Sequence, residues 1–328
     1  MRAAYYEQLG AAREVLTLGS LEPPPTGPGE VCVRVHVSGI NPSDVKRRAG
    51  RTIAVMPFPR VIPHQDGAGV IEAVGRGVSE ARVGERVWLY KAQIGRPFGT
   101  AAEWVVIPSE QAVRLPQESD FVAGASLGVP AMTAHRCVFA DGPVTGQTVL
   151  VSGGAGAVGF YAIQWAKWAG ARVISTVSSP DKAAVARAAG ADYTIDYHTE
   201  DVVERVLDLT TGQGVGRIVE VAFGYNLAVN ERILATNGAI ASYGSDINRA
   251  PQLPYPALSA KNATVHFVLV YVMSQAAHQA AIQDMTTCLA TGVLLHPTPH
   301  PFALEDIVAA HEAVESGTII GKVVLNIA

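Results

Sequence analysis

The residues best suited to chemistry lie near the middle of the chain, in Val149-Leu150-Val151-Ser152-Gly153-Gly154-Ala155-Gly156-Ala157-Val158-Gly159. Gly154, Gly156 and Gly159 form G-x-G-x-x-G, and Gly153, Gly156 and Gly159 satisfy a variant spaced three and three. Glycines at these spacings permit a tight turn, close backbone approach to a pyrophosphate, and close packing of a helix on a strand. The turn follows an apolar strand and opens a helix, whose N-terminus carries roughly half a positive charge and so favours a pyrophosphate. Gly153, Gly154, Gly156, Ala157, Val158 and Gly159 are therefore expected to hold a dinucleotide. An NAD site usually has Asp or Glu at the end of the second strand, gripping the ribose 2′-hydroxyl. Here that position falls on Ser178 and Ser179, with Lys182 soon after. Hydroxyls and an ammonium accept a 2′-phosphate that a carboxylate repels. Such hydrogen bonds contribute roughly 1.5–3 kcal/mol each, so two give a preference of roughly 100-fold or more. The sequence points to NADPH.

Elements that can position this turn are legible on either side of it. Residues 1 to about 122 read as β-rich, with alternation in Glu30–Val37, Val70–Gly75 and Arg86–Tyr90 and turn signals between. Many short strands suggest a barrel or sandwich. From about residue 145 the rhythm changes to strands alternating with helices: Thr148–Val151, Arg172–Val177, Asp192–Tyr197, Gly216–Ala222 and Ala239–Tyr243 read as strands of a parallel sheet. The last strand, Ile320–Ile327, has no following helix and is expected to return to the first domain. The fold class is α/β: a Rossmann doubly wound domain over 123–295, and a discontinuous β domain over 1–122 and 296–328.

Composition limits the alternatives. The chain has 328 residues, 48% hydrophobic and 16% charged, which excludes a disordered protein. A net charge of −4 argues against a phosphate-backbone binder, so nucleic acid is not an expected partner. Cys32, Cys137 and Cys288 lie far apart, against a disulfide framework or a cysteine-rich zinc cluster, and suggest a reducing, cytoplasmic setting. Met1–Glu7 lacks the apolar core of a signal peptide. The most apolar run, Val265–Met273, is about half the length a spanning helix needs, so no membrane partner is expected.

With these residues placed, the chain resembles the zinc-free quinone oxidoreductases of the medium-chain dehydrogenase/reductase superfamily, the group that includes zeta-crystallin. The resemblance is carried by Gly39–Asp44, Asp66–Gly75, Gly84–Val87, Pro130–Ala134, the glycine cluster and Gly321–Leu325. It implies a GroES-like β-barrel domain fused to a Rossmann domain, with the active site in the cleft between them. It implies that Asn41 lies near the nicotinamide and hydrogen-bonds a substrate oxygen. Asp44 shares that motif, where capping the following helix is the alternative. Thr133 matches a position beside the nicotinamide and phosphates, and Tyr197 matches the adenosine side. Gly244 and Ser245 match a cofactor loop, and Phe223 and Asn226 follow the fourth strand near the nucleotide. The catalytic candidates are Asn41, Asp44 and Thr133.

The zinc-ligand positions of the related alcohol dehydrogenases fall on Asn41, Gln65 and Val129, and the loop Lys91–Gly99 lacks the four-cysteine lobe, so no metal is expected. A site made from His64 and Asp66 is the alternative. Without a Lewis acid the acceptor must take hydride readily, as quinones and conjugated carbonyls do. The expected reaction is hydride transfer from NADPH to a quinone or enone, the protein supplying positioning and desolvation. An alkenal or enoyl reductase is the second reading, and a non-catalytic NADPH-binding protein, crystallin-like or RNA-binding, is the third. Relatives often carry tyrosine in a stretch like Tyr-Ile-Arg-Ser-Gly; here it is Lys46-Arg47-Arg48-Ala49-Gly50, then Arg51. That cluster suggests an anionic acceptor or a solvated helix face. Thr264–Val272, apolar on both faces, reads as an edge strand that needs cover, and the resemblance implies a homodimer through it.

Overall fold

Valines at every second position shape the first sheet. In Glu30–Gly39, Val31, Val33, Val35 and Val37 are buried while Arg34 is exposed, as a strand with one covered face requires. The computed structural model describes residues 1–327. The strands are β1 (Arg2–Tyr5), β2 (Thr17–Ser20), β3 (Glu30–Gly39), β4 (Asp66–Val74), β5 (Arg86–Leu89), β6 (Trp104–Pro108) and β7 (Ala112–Arg114). Then follow β8 (Thr148–Val151), β9 (Arg172–Val177), β10 (Tyr193–Asp196), β11 (Val215–Glu220), β12 (Leu234–Ser242) and β13 (Thr264–Phe267). The last two are β14 (Pro299–Ala303) and β15 (Lys322–Asn326).

The chain divides into two compact units, residues 1–130 with Asp284 onward, and Ala131–Gln283. The first is therefore discontinuous. Its limits fall inside the helices Gly128–Phe139 and Gln275–Ala290, not at 122/123 and 295/296. A helix that runs through a boundary shows no break in composition, whereas turn residues outside it do. In this unit β14-β15-β3-β4-β5-β7 form a mixed sheet, with β6 also on β3. β15 returns from the far end of the chain to pair antiparallel with β3, Val324 opposite Gly39. The core gathers Val31, Val33, Val35, Ile71, Val87 and Leu325 with Ile307 and Ala310 of the helix Ile307–Ser316.

The second unit is a six-stranded parallel sheet in the order β10-β9-β8-β11-β12-β13. The order reverses between β8 and β11, and ligands of such sheets bind beside the carboxyl ends of the strands at that reversal. Leu150, Ile174, Ile195, Ile218 and Ile240 supply its centre. The expected strand Thr264–Val272 is shorter. β13 stops at Phe267, opposite Ser242 where β12 ends, and Val270–Val272 coils into a helical turn. Beyond Ser242 there is no neighbour to pair with.

Candidate functional site

The glycine turn lies at the carboxyl end of β8. Gly153 has φ +70°, a conformation that side chains rarely adopt. Its N–H donates to Thr176 Oγ1 at 3.2 Å, tying the turn to β9. A Cβ on Gly159 would lie 2.3 Å from the Gly153 carbonyl oxygen, so only glycine lets the helix Ala157–Trp168 pack so tightly on the turn. Gly156 is the N-cap of that helix and is exposed; Ala157 and Val158 open it, half-buried. First-turn N–H groups have no acceptor within the helix. An open backbone, orphan donors and the positive helix end fit a pyrophosphate.

At the end of β9, Lys182 Nζ donates to Ser178 Oγ at 2.8 Å. Ser179 caps the helix Pro180–Ala188, its Oγ accepting Lys182 N–H at 3.3 Å. An ammonium and two hydroxyls thus converge where an NAD site has its carboxylate. Tyr197, just past β10, is exposed, its ring 4.6 Å from that of His198. Past β12, the Gly244 carbonyl accepts Phe223 N–H at 2.9 Å. Ser245 Oγ accepts Gly224 N–H at 2.9 Å and donates to the Asn248 carbonyl at 2.5 Å. Asn226 donates to Ser152 and Glu220. The Phe223 side chain is a core group, edge-on to Phe267 at 5.5 Å; burial leaves its ring no open face. Thr133 is buried in the helix Gly128–Phe139.

In the first unit, Asn41 is the N-cap of the helix Pro42–Arg48 and is buried. Its Nδ2 donates to Asp66 Oδ2 at 2.7 Å, and its Oδ1 accepts from Lys322 Nζ at 2.5 Å. Asp44 Oδ2 accepts the Asn41 backbone N–H at 2.8 Å, the reciprocal arm of a helix cap. Asp66 Oδ1 accepts Val129 N–H at 2.8 Å. Two carboxyl groups and one lysine amine are therefore buried together. Burial, then the Asp66 charge, push the Asp44 carboxyl up to about 7. Burial also raises Asp66 and lowers Lys322, each opposed by the other's charge.

Asn41, Gln65 and Val129, which match the zinc-ligand positions of the related alcohol dehydrogenases, make hydrogen bonds instead. Gln65 Oε1 accepts the backbone N–H groups of Gln93 and Ile94, each at 3.1 Å, and anchors the loop that follows β5. His64 uses both ring nitrogens, Nδ1 toward Ser38 Oγ and Nε2 toward His311 Nε2, each at 2.9 Å. Among the described residues no group of three His, Cys, Asp or Glu side chains is placed to hold a metal ion.

Two family models match: residues 27–117 match "Alcohol dehydrogenase GroES-like domain" and residues 157–289 match "Zinc-binding dehydrogenase". A quinone oxidoreductase of Pseudomonas aeruginosa is 31% identical over 318 residues, 95% of each chain. The chain belongs to the quinone oxidoreductase family of the medium-chain dehydrogenase/reductase superfamily. A 2-haloacrylate reductase of a Burkholderia species is 30% identical over 307 residues, 91% of each chain. The solved Escherichia coli quinone oxidoreductase complexed with NADPH has a TM-score of 0.86 and 26% identity, over 99% of this chain and 100% of that one. The fold is accordingly a Rossmann domain joined to a GroES-like domain.

The basic cluster does not act together. Arg48 is fully buried, and its guanidinium is spent on the Gly10 carbonyl and Glu315. It has no reach toward a substrate anion; Arg51 is exposed. The sequence reading gives Lys322 and Glu220 no role, and offers Asp66 only as an alternative metal ligand with His64. Asp66 and Lys322 lie in motifs that carried the resemblance, and an ionisable residue inside an apolar strand such as Lys322-Val323-Val324-Leu325 is the signal for a buried partner.

Proposed function

We propose that this chain is an NADPH-dependent quinone oxidoreductase that moves a hydride to a quinone. The observation that carries the reading is Lys182 on Ser178 at the end of β9, beside a glycine turn with a bare backbone. Gly153, Gly154, Gly156, Ala157, Val158 and Gly159 hold the pyrophosphate; Ser178, Ser179 and Lys182 take the 2′-phosphate; Tyr197, Thr133, Asn226, Gly244 and Ser245 complete the dinucleotide site. NADPH, when bound, supplies the hydride. Asn41 has one N–H beyond the one given to Asp66. Lys322, on the carbonyl of that amide, strengthens the N–H as a donor to a substrate oxygen that gains charge. Asp44 works through Asn41 by holding its backbone. Asn41, Gln65 and Val129 offer no thiolate, imidazole or carboxylate, so the acceptor must delocalise the incoming charge itself.

The 2-haloacrylate reductase relative supports a second reading in which the acceptor is an activated alkene. Purified protein with NADPH and a panel of 1,4-benzoquinone, 9,10-phenanthrenequinone and an enal separates them. NADPH oxidation by the quinones is the expected result. Oxidation by the enal alone favours the second reading, and NADPH binding without oxidation by any acceptor favours a non-catalytic protein. A cytoplasmic homodimer belongs to the same reading.

 Phe267, Leu269 and Val272, 72%, 55% and 74% exposed, lie on or just past the edge strand β13, an apolar edge that a second copy would cover. A dimer mass by light scattering at micromolar concentration is expected. Among the described residues no helix is long and apolar enough to cross a membrane.

A further inference from the structure

Glu220 ends β11 with its side chain 1% exposed. Its Oε1 accepts Ala222 N–H at 2.6 Å and an Asn226 Nδ2–H at 3.0 Å, and its Oε2 accepts an Asn230 Nδ2–H at 2.8 Å. Asn226 Nδ2 also donates to Ser152 Oγ at 3.2 Å. Ser152 follows β8 and directly precedes Gly153. The Asn226 amide therefore ties together the carboxyl ends of β8 and β11, the two strands between which the sheet order reverses, and that crevice is where dinucleotides bind. A buried carboxylate is costly unless hydrogen bonds satisfy it; three donors do so here. Both Glu220 oxygens accept N–H groups here, so the side chain draws in the amide nitrogen of Asn226 and prevents the amide from turning over. Both Nδ2 hydrogens are then used, on Glu220 and Ser152. Oδ1 is the hydrogen-bonding atom left, on the opposite side of the amide.

We propose that Glu220 is a positioning residue for the dinucleotide, locking the Asn226 amide so that Oδ1 meets a hydroxyl or amide N–H of the cofactor. An acceptor held in that orientation repels phosphate oxygens, so it steers the donor-bearing parts of the ligand, its ribose or carboxamide, to this point of the crevice. The proposal rests on the dinucleotide reading above.

The test measures NADPH affinity from the fluorescence of the nucleotide, together with kcat at saturating NADPH and the thermal midpoint. Glu220→Met removes both acceptors and frees the Asn226 amide; NADPH binding is expected to weaken about tenfold or more, with kcat at saturation within about twofold. Glu220→Gln is expected to recover most of the affinity. Glutamine keeps one acceptor for Ala222 and Asn226, and Asn230 can turn its own amide to accept the new N–H. Ser152→Ala removes the second anchor of Asn226 without disturbing a buried charge, and is expected to weaken NADPH about threefold; it decides the matter if the Met variant does not fold. Unchanged affinity in Ser152→Ala and in any folded Met variant overturns the proposal. So does a Gln variant as weak as the Met variant. A wild-type protein that does not bind NADPH at all overturns the dinucleotide reading itself, and this proposal with it.

Discussion

Lys322 Nζ lies 2.5 Å from Asn41 Oδ1, and this contact decides which way round the Asn41 amide sits. Lysine only donates, so the oxygen must face it; the Asp66 carboxylate, an acceptor, takes the nitrogen at 2.7 Å. Lys322 and Asp66 are themselves a buried pair at 3.5 Å. Removing one partner leaves the other charged and uncompensated, which costs roughly 3–5 kcal/mol. Lys322→Met is expected to lose about that much stability in urea unfolding, and Asp66→Asn with Lys322→Met to recover most of it. Losses that simply add in the double variant would show that the two groups are not coupled.

Asp44 makes stability depend on pH in an unusual direction. Burial and the nearby Asp66 raise its pKa from 3.8 to about 7. Between those values the folded state keeps a proton that the unfolded chain has released. Stability from this group is therefore present at low pH and falls as pH rises from about 4 to about 7, by at most about 1.4 kcal/mol per pH unit. Asp44→Asn keeps an acceptor for the Asn41 N–H and does not titrate. The difference between wild type and this variant in urea midpoint, followed across pH 4–8, isolates the effect; a difference that does not change with pH refutes it.

Lys182 is the cationic side chain placed on Ser178, at the end of β9. If the pair grips a 2′-phosphate, Lys182→Ala raises the KM for NADPH about tenfold or more, the worth of one charged hydrogen bond. The KM for NADH stays as it was, because that cofactor has no phosphate to lose. Equal effects on the two coenzymes would assign Lys182 to general packing of the helix Pro180–Ala188 instead.

The parts of the site that were legible in the sequence are those where residue type is itself the requirement. Gly153 needs a positive φ and Gly159 a missing Cβ, and both needs show as glycine in the sequence. Ser178 and Lys182 are close in sequence, so their meeting is a local matter. The rest depends on partners far along the chain. Arg48 reads as part of a solvated basic cluster, yet Glu315, 267 positions away, buries it. Asp66 and Lys322 are separated by 256 positions, and nothing in either segment says that they meet. The sequence pattern carries the strand on to Val272 because apolar residues continue past Phe267, while the pairing surface of β12 does not.

His64 and His311 carry a proton arrangement that is fixed from outside the pair. Thr100 Oγ1 donates to the Asp66 carbonyl at 2.6 Å, because a carbonyl only accepts. Its single proton is thereby used, so Ser38 must donate across the 2.7 Å contact to Thr100. Ser38 Oγ then accepts from His64, which places the His64 proton on Nδ1. Burial holds His64 well below its ordinary pKa and pushes His311 down to about 3, so both rings are neutral near pH 7. His64 Nε2 is the bare acceptor, and His311 must donate from its own Nε2. Nitrogen-15 spectra are expected to show the Nδ1–H tautomer for His64 and the Nε2–H tautomer for His311. Thr100→Val removes the donor that sets the direction, and both tautomers of the pair should then appear. The same neutral rings destabilise the fold in acid. Below about pH 6.5 the unfolded chain takes up protons that the folded pair refuses, so stability falls as pH drops toward about 3. The reversed tautomers in the wild-type spectrum would show that the hydrogen bonds run the other way.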